Sequence, residues 1–189
     1  NLSNNFLNFA LKFHLIPVIL FYIGSVELSY MIGGTNMEPK IVTLPAISLA
    51  GFAIQTTIEN GENSKAIPAF WQEYMSSGKM DQLHEEPFLK SHNEYGVCFP
   101  ANEHSQEFEY VIGIEYLEGV EIPSSYHVCE IPPATYAVFS SPPSDTAHFV
   151  ESIQSTWQYI FNEWFPSSGY EYAPNGHDFE LYDERCLQD

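Results

Sequence analysis

Positive charge is almost absent from this chain. Six Lys and Arg stand against 25 Asp and Glu, a formal net charge of −19 over 189 residues. Direct nucleic-acid binding needs clustered Lys and Arg on the phosphates, so this composition excludes it. Docking on an anionic membrane surface is excluded on the same ground. A field of this sign attracts cations instead, organic ones included. Cysteine is sparse. Cys98, Cys129 and Cys186 are odd in number, scattered and without a CxxC pair, which reads as reduced thiols in a cytoplasmic protein. The seven His show no HExxH or HxxxH spacing, so no metal site is expected. There is no GxSxG elbow and no glycine-rich phosphate loop, and no cofactor or catalytic residue is assigned from motifs.

Long hydrophobic runs are missing too. The apolar stretch from Leu15 to Ile23 is broken by Pro17 and is too short for a membrane span. Lys12 and His14 precede it as in a signal peptide, but no small-x-small cleavage site follows before Met37. Residues 1–36 lack the alternation seen later. They are read as an added N-terminal segment, an extended reading frame or an oligomerisation arm, ahead of a domain over 37–187. The apolar run is expected to pack on its own domain or on a second copy of the chain, a homodimer in the second case.

What the chain does have is a repeat. Leu44-Pro45-Ala46-Ile47-Ser48-Leu49-Ala50-Gly51-Phe52 aligns with Ile131-Pro132-Pro133-Ala134-Thr135-Tyr136-Ala137-Val138-Phe139. Pro, Ala and Phe fall at the same offsets. Each stretch leads into a turn, an amphipathic helix and two strand-like runs, the last carrying Phe108-Glu109 in one copy and Phe179-Glu180 in the other. The halves run over about 38–117 and 126–186. The fold class is therefore α+β: tandem duplicated βαββ units, an antiparallel sheet with two helices on one face, and a ligand cleft between the repeats.

Local signals fill in the elements. Ile41 to Thr57 reads as one strand with a bulge or bend near Gly51. Ile67, Phe70, Trp71, Tyr74 and Met75 form a helical stripe, with Ser64 as N-cap, Pro68 in the first turn and Gly78 as the stop. Residues 79–93 read as irregular, Tyr95–Phe99 as a short strand and Phe108–Leu117 as a longer one. In the second copy Ser144 is the expected N-cap. Phe149, Ile153, Trp157, Ile160 and Trp164 make the stripe, and Pro166 and Gly169 end it. Tyr170–Ala173 and Asp178–Asp183 are the remaining strands, with His177-Asp178 as a solvated junction.

Alternation puts Phe179 and Leu181 on one face of the last strand and Glu180 and Tyr182 on the other. If the apolar pair packs on the helices, Glu180 points into the cleft beside Tyr182. Glu109 alternates with Phe108 and Tyr110 in the same way. A carboxylate among aromatic rings is costly to desolvate unless a cation or hydrogen-bond donors meet it. An organic cation supplies charge pairing and cation–π contact together. A glutamate facing solvent fits the same pattern.

Trp164-Phe165-Pro166-Ser167-Ser168-Gly169-Tyr170-Glu171-Tyr172, followed by Asp178-Phe179-Glu180-Leu181-Tyr182-Asp183-Glu184-Arg185, resembles the C-terminal signature of the GyrI-like or AraC-type effector-binding domain family. Glu94-Tyr95-Gly96-Val97-Cys98, Phe108-Glu109-Tyr110 with Gly113, and Ile131-Pro132 leading to Tyr136-Ala137-Val138-Phe139 add to it. The resemblance covers roughly 38–186. It implies two βαββ units that bind small molecules in the groove between them, with an acidic residue on the last strand that neutralises lipophilic cationic drugs. That position maps onto Glu180. Trp71, Tyr95, Tyr110, Tyr136, Trp164 and Tyr182 are the candidate aromatic wall, with Glu109 as a second carboxylate. No helix-turn-helix is seen, so the chain looks like the stand-alone members, some of which are borne on integron cassettes. Two alternatives stay open. One branch of the family resembles hydrolases that open cyclopropane-type toxins, with Glu180 as general base and Tyr136 or Tyr182 assisting. Others resemble acidic inhibitors of DNA-handling enzymes.

Overall fold

The computed structural model describes residues 14–16, 18–22, 37–101, 105–142, 144, 147–173 and 176–183. In chain order the elements are β1 (His14–Ile16), β2 (Val18–Tyr22), β3 (Lys40–Leu44), β4 (Ile47–Thr57), α1 (Asn63–Ser76), α2 (Lys79–His84), β5 (Leu89–Pro100) and β6 (Glu107–Tyr116). Then follow β7 (His127–Ile131), β8 (Ala134–Ser141), α3 (Phe149–Tyr159), a π-helical turn (Ile160–Trp164), α4 (Phe165–Ser168), β9 (Tyr170–Tyr172) and β10 (Phe179–Tyr182).

Two proline hinges confirm the repeat. β3 passes through Pro45-Ala46 into β4, and β7 passes through Pro132-Pro133 into β8. Proline has no N–H to give a ladder, so each strand breaks there and its two pieces find different partners. β3 pairs antiparallel with β8, and β7 pairs antiparallel with β4. Leu44 sits opposite Ala134, and Ile131 sits opposite Ile47. Each half therefore sends an arm onto the other half's first long strand, in matching register. The single strand expected over 41–57 is two strands for this reason. At Gly51 there is no bulge: the ladder with β6 runs unbroken from Leu49 to Thr57. Gly51 lies across from Gly113, and a Cβ there would meet the Ile112 carbonyl oxygen at 2.0 Å.

The main sheet runs β3-β8-β2-β10-β5-β6-β4-β7, and β1 pairs with β9 in a separate two-stranded sheet. β10 lies antiparallel beside β5. Read outward from that pair, the order is β5-β6-β4 on one side and β10-β2-β8 on the other. β10 thus holds the place of β5, not of β6, and Glu180 is not the equivalent of Glu109. The place of β6 in the second half is taken by β2, from the apolar run near the N-terminus. β2 is parallel to both β10 and β8. Apart from β1 and β2, residues 1–36 lie outside the described residues.

Residues 79–93 are more ordered than expected. They hold α2 and the first part of β5, a strand of 12 residues. Gly78, at φ 82°, ends α1 and leads into α2, a left-handed conformation that glycine adopts freely. The expected caps at Ser64 and Ser144 are displaced: α1 starts at Asn63 and α3 at Phe149, neither with a side-chain cap bond. Pro68 lies inside α1, and Pro166 does not end the second helical run, which continues to Ser168 before left-handed Gly169.

Alternation along the strands sorts the interior into two faces. Ala50, Tyr110, Ile112 and Ile114 face Phe70 and Tyr74 of α1, while Ala137 and Phe139 face Ile153, Ile160 and Trp164. Both helices therefore cover the same face. Ile47, Leu49, Tyr95, Val97, Ile131, Tyr136, Phe179 and Leu181 form a cluster on the other face.

Candidate functional site

Phe179 and Leu181 belong to the cluster away from the helices, so Glu180 and Tyr182 point to the helix side. This reverses the condition set from sequence, yet it still places Glu180 where side chains of α1 and α3 meet. There the carboxylate is held by three donors. Trp157 of α3 donates its indole N–H to Oε1 at 2.9 Å. The hydroxyls of Tyr110 on β6 and Tyr182 on β10 donate to Oε2 at 3.1 and 2.9 Å. Trp71 of α1 donates its indole N–H to the Tyr110 oxygen at 2.9 Å, and its ring packs edge-on against Tyr182 at 4.9 Å. Phe149 stacks on the far side of the same region, its ring 6.0 Å from that of Tyr182.

Glu180 is half-buried by area, but loss of water is the largest influence on its carboxylate. Burial raises its pKa above the ordinary value, and the hydrogen bonds from Trp157, Tyr182 and Tyr110 oppose the rise without cancelling it. Burial also pushes the Tyr110 hydroxyl well up, and the nearby Glu180 charge adds to this. The Cys98 thiol is raised well above its usual value by burial first and Glu180 second, so it is no ready nucleophile. Among the described residues the ion pairs join Lys79 to Glu73, His84 to Glu94, Lys90 to Glu115 and His127 to Glu109; none reaches Glu180. The result is a carboxylate with donors on both oxygens, indole and phenol rings around it, and no side-chain cation among the described residues to neutralise it.

The structure gathers four of the eight residues picked from sequence: Glu180, Tyr182, Tyr110 and Trp71. Tyr95 and Tyr136 lie on the opposite face, where both rings pack on Phe179. Glu109 shares that face; it accepts from Gln55 at 3.0 Å and pairs with His127 at 3.1 Å. Trp164 packs edge-on against Phe139 at 5.0 Å, beneath α3. Sequence reasoning missed Trp157 as a site residue. Its place in the α3 stripe looked like core, although a buried indole N–H needs an acceptor. It missed the role of Gly96, which leaves room for the Tyr110 hydroxyl. It also took Asp178 for a solvated junction. Asp178 is buried and accepts a hydrogen bond from the Tyr172 hydroxyl at 2.5 Å.

Residues 40–188 match the family of integron-associated effector binding proteins. The chain belongs to this family. It is 28% identical over 150 residues to the transcriptional regulator BrlR of Pseudomonas aeruginosa, covering 79% of this chain and 50% of BrlR. It thus spans about half the length of that regulator. Among solved structures it resembles SAV2435 bound to tetraphenylphosphonium, with a TM-score of 0.53 at 19% identity, over 66% of this chain and 73% of that one. It also resembles the integron cassette protein VCH_CASS2 from the mobile metagenome of Vibrio cholerae, with a TM-score of 0.52 at 14% identity, over 78% and 90% of the two chains. These structural likenesses establish the fold: a GyrI-like α+β domain. Among the described residues no helix is long and apolar enough to cross a membrane.

Proposed function

We propose that this effector-binding domain takes up lipophilic organic cations in the groove between α1 and α3. The observation that carries the reading is the Glu180 carboxylate, enclosed by Trp71, Tyr110, Trp157 and Tyr182 with no cationic partner among the described residues. A desolvated charge in such a place is stabilised when a ligand brings the opposite charge. The ring faces supply cation–π attraction and apolar contact for a diffuse, weakly hydrated cation. A small inorganic ion is a poorer fit, since the carboxylate oxygens already have their donors. SAV2435, which shares the fold, holds a lipophilic cation of this class. The residues in the groove pair with one another, so ligand entry requires Trp71, Tyr182 or Phe149 to swing aside. Binding of tetraphenylphosphonium by the wild type, compared with Glu180→Gln, tests the assignment.

The hydrolase reading retains one geometric element. Of the two tyrosines considered as partners for Glu180, Tyr182 is hydrogen-bonded to it and Tyr136 is on the wrong face. Burial raises the basicity of the carboxylate overall, but donors already occupy both of its oxygens, which favours binding over general-base work. Release of a ring-opened product from a cyclopropane-bearing substrate, lost in Glu180→Gln, would reverse that preference.

A further inference from the structure

A second cluster lies at the end of α2, next to the first strand of the central pair, and the function above does not use it. His84 Nδ1 and His92 Nδ1 face each other at 3.1 Å. His84 Nε2 is 3.0 Å from Glu94 Oε1, and that same oxygen accepts the Tyr74 hydroxyl at 2.7 Å. The residues are eight positions apart in sequence, a spacing that no metal motif flags. Helix α2 and strand β5 bring them together.

We propose that His84 and His92 bind a divalent transition-metal ion of the zinc, copper or nickel class through their Nδ1 atoms. Metal–imidazole bonds of about 2.0–2.1 Å hold two nitrogens on one ion about 2.9–3.4 Å apart at square-planar to tetrahedral angles. The observed 3.1 Å falls in that span. Glu94 acts as the orienting carboxylate. By accepting the Nε2–H of His84 it fixes the tautomer that leaves Nδ1 with a bare lone pair, the arrangement seen behind metal-bound histidines. Tyr74 in turn holds Glu94. In the metal-free state the hydrogen between the two Nδ1 atoms is carried by His92; when that Nδ1 takes the ion, the proton moves by exchange through solvent to the exposed His92 Nε2, so the ring stays neutral. The rings lie 5.3 Å apart at 9°, so the nitrogens meet nearly head-on, and a swing of the exposed His92 ring aims both lone pairs at one point. Among the described residues no group of three or more His, Cys, Asp or Glu is placed to hold a metal, so water completes the coordination. The net charge of −19 raises the local concentration of dications around the site.

Calorimetric titration of the full chain with Zn²⁺ tests this. The wild type is expected to take up one ion per chain at this site. His92→Ala, a change at an exposed residue, should lose that ion. Glu94→Gln should keep the stoichiometry and weaken binding about ten- to hundredfold. His127→Gln, elsewhere on the sheet, should change nothing. Electron paramagnetic resonance of the Cu²⁺-loaded wild type should show coupling to two nitrogens, a signal that His92→Ala should lack. Unaltered Zn²⁺ uptake by His92→Ala, an unaltered copper spectrum in that variant, or no uptake by the wild type would overturn the proposal.

Discussion

Gly96 sits directly across the β5–β10 ladder from Glu180, and its missing side chain is what lets the site form. A Cβ on Gly96 would lie 2.2 Å from the Tyr110 hydroxyl oxygen and 3.2 Å from Glu180 Oε2. Tyr110 is buried in the α1 core and tied to Trp71, so it has little room to retreat. Gly96→Ala is therefore expected to expel the Tyr110 hydroxyl from the carboxylate and to destabilise the fold by about 1–3 kcal/mol. Thermal unfolding and cation binding should both register the change. An alanine variant with wild-type melting and affinity would show that Tyr110 does not need this gap.

Glu180→Gln keeps the shape of the side chain and removes its charge. Affinity for a lipophilic cation should fall about tenfold to hundredfold, on the order of 1–3 kcal/mol, while a neutral analogue of similar shape should lose little. Glu109→Gln should leave cation affinity untouched, because Glu109 faces the other side of the sheet. Calorimetry with the charged and neutral ligands on both variants separates the two positions. Equal losses for both ligands in Glu180→Gln would remove charge as the basis of selection.

The pH dependence follows from the raised pKa of Glu180. Cation binding should strengthen as pH rises through this value, above the ordinary 4.5, because only the carboxylate form attracts the ligand. Stability of the ligand-free protein moves the other way. The folded state binds the proton more tightly than the unfolded chain, so this residue's contribution is full below the ordinary carboxyl pKa and is lost as pH rises through the raised one. Glu180→Gln should flatten both profiles. At neutral pH it should melt no lower than the wild type, since a buried charge has been removed and Gln can still accept from Trp157. A binding profile that keeps its slope in the Gln variant would place the titrating group elsewhere.

The two tryptophans of the second helical run should behave differently. Trp157→Phe retains an aromatic ring but removes the N–H that donates to Oε1. It should raise the Glu180 pKa further and shift the binding profile to higher pH, with a small effect on melting. Trp164→Ala empties a core position and should cost about 3–5 kcal/mol of stability, with cation affinity of the remaining folded protein unchanged. If Trp164→Ala abolished binding while Trp157→Phe had no effect, the groove would lie on the other side of α3.

The repeat, the α+β class, the two helices and the sharing of one strand face by Glu180 and Tyr182 were all legible in the sequence, because they rest on short-range regularities. Proline offsets mark where a ladder must break, period 3.6 marks the helical stripes, and period 2 sets which residues share a strand face. These rules say nothing about which face of a strand meets the helices. Tyr95 and Tyr136 looked as suitable for a pocket wall as Tyr110, and Trp164 looked more suitable than Trp157. Strand order decided between them. β10 pairs with β5 and not in the place of β6, so Glu180 is grouped with Gly96 and Tyr110, and Glu109 is left on the far side with His127. The meeting of His84 with His92 has the same origin. Side-chain chemistry is local, but the company a side chain keeps depends on contacts between residues far apart in the chain, and only the packed sheet and helices specify those.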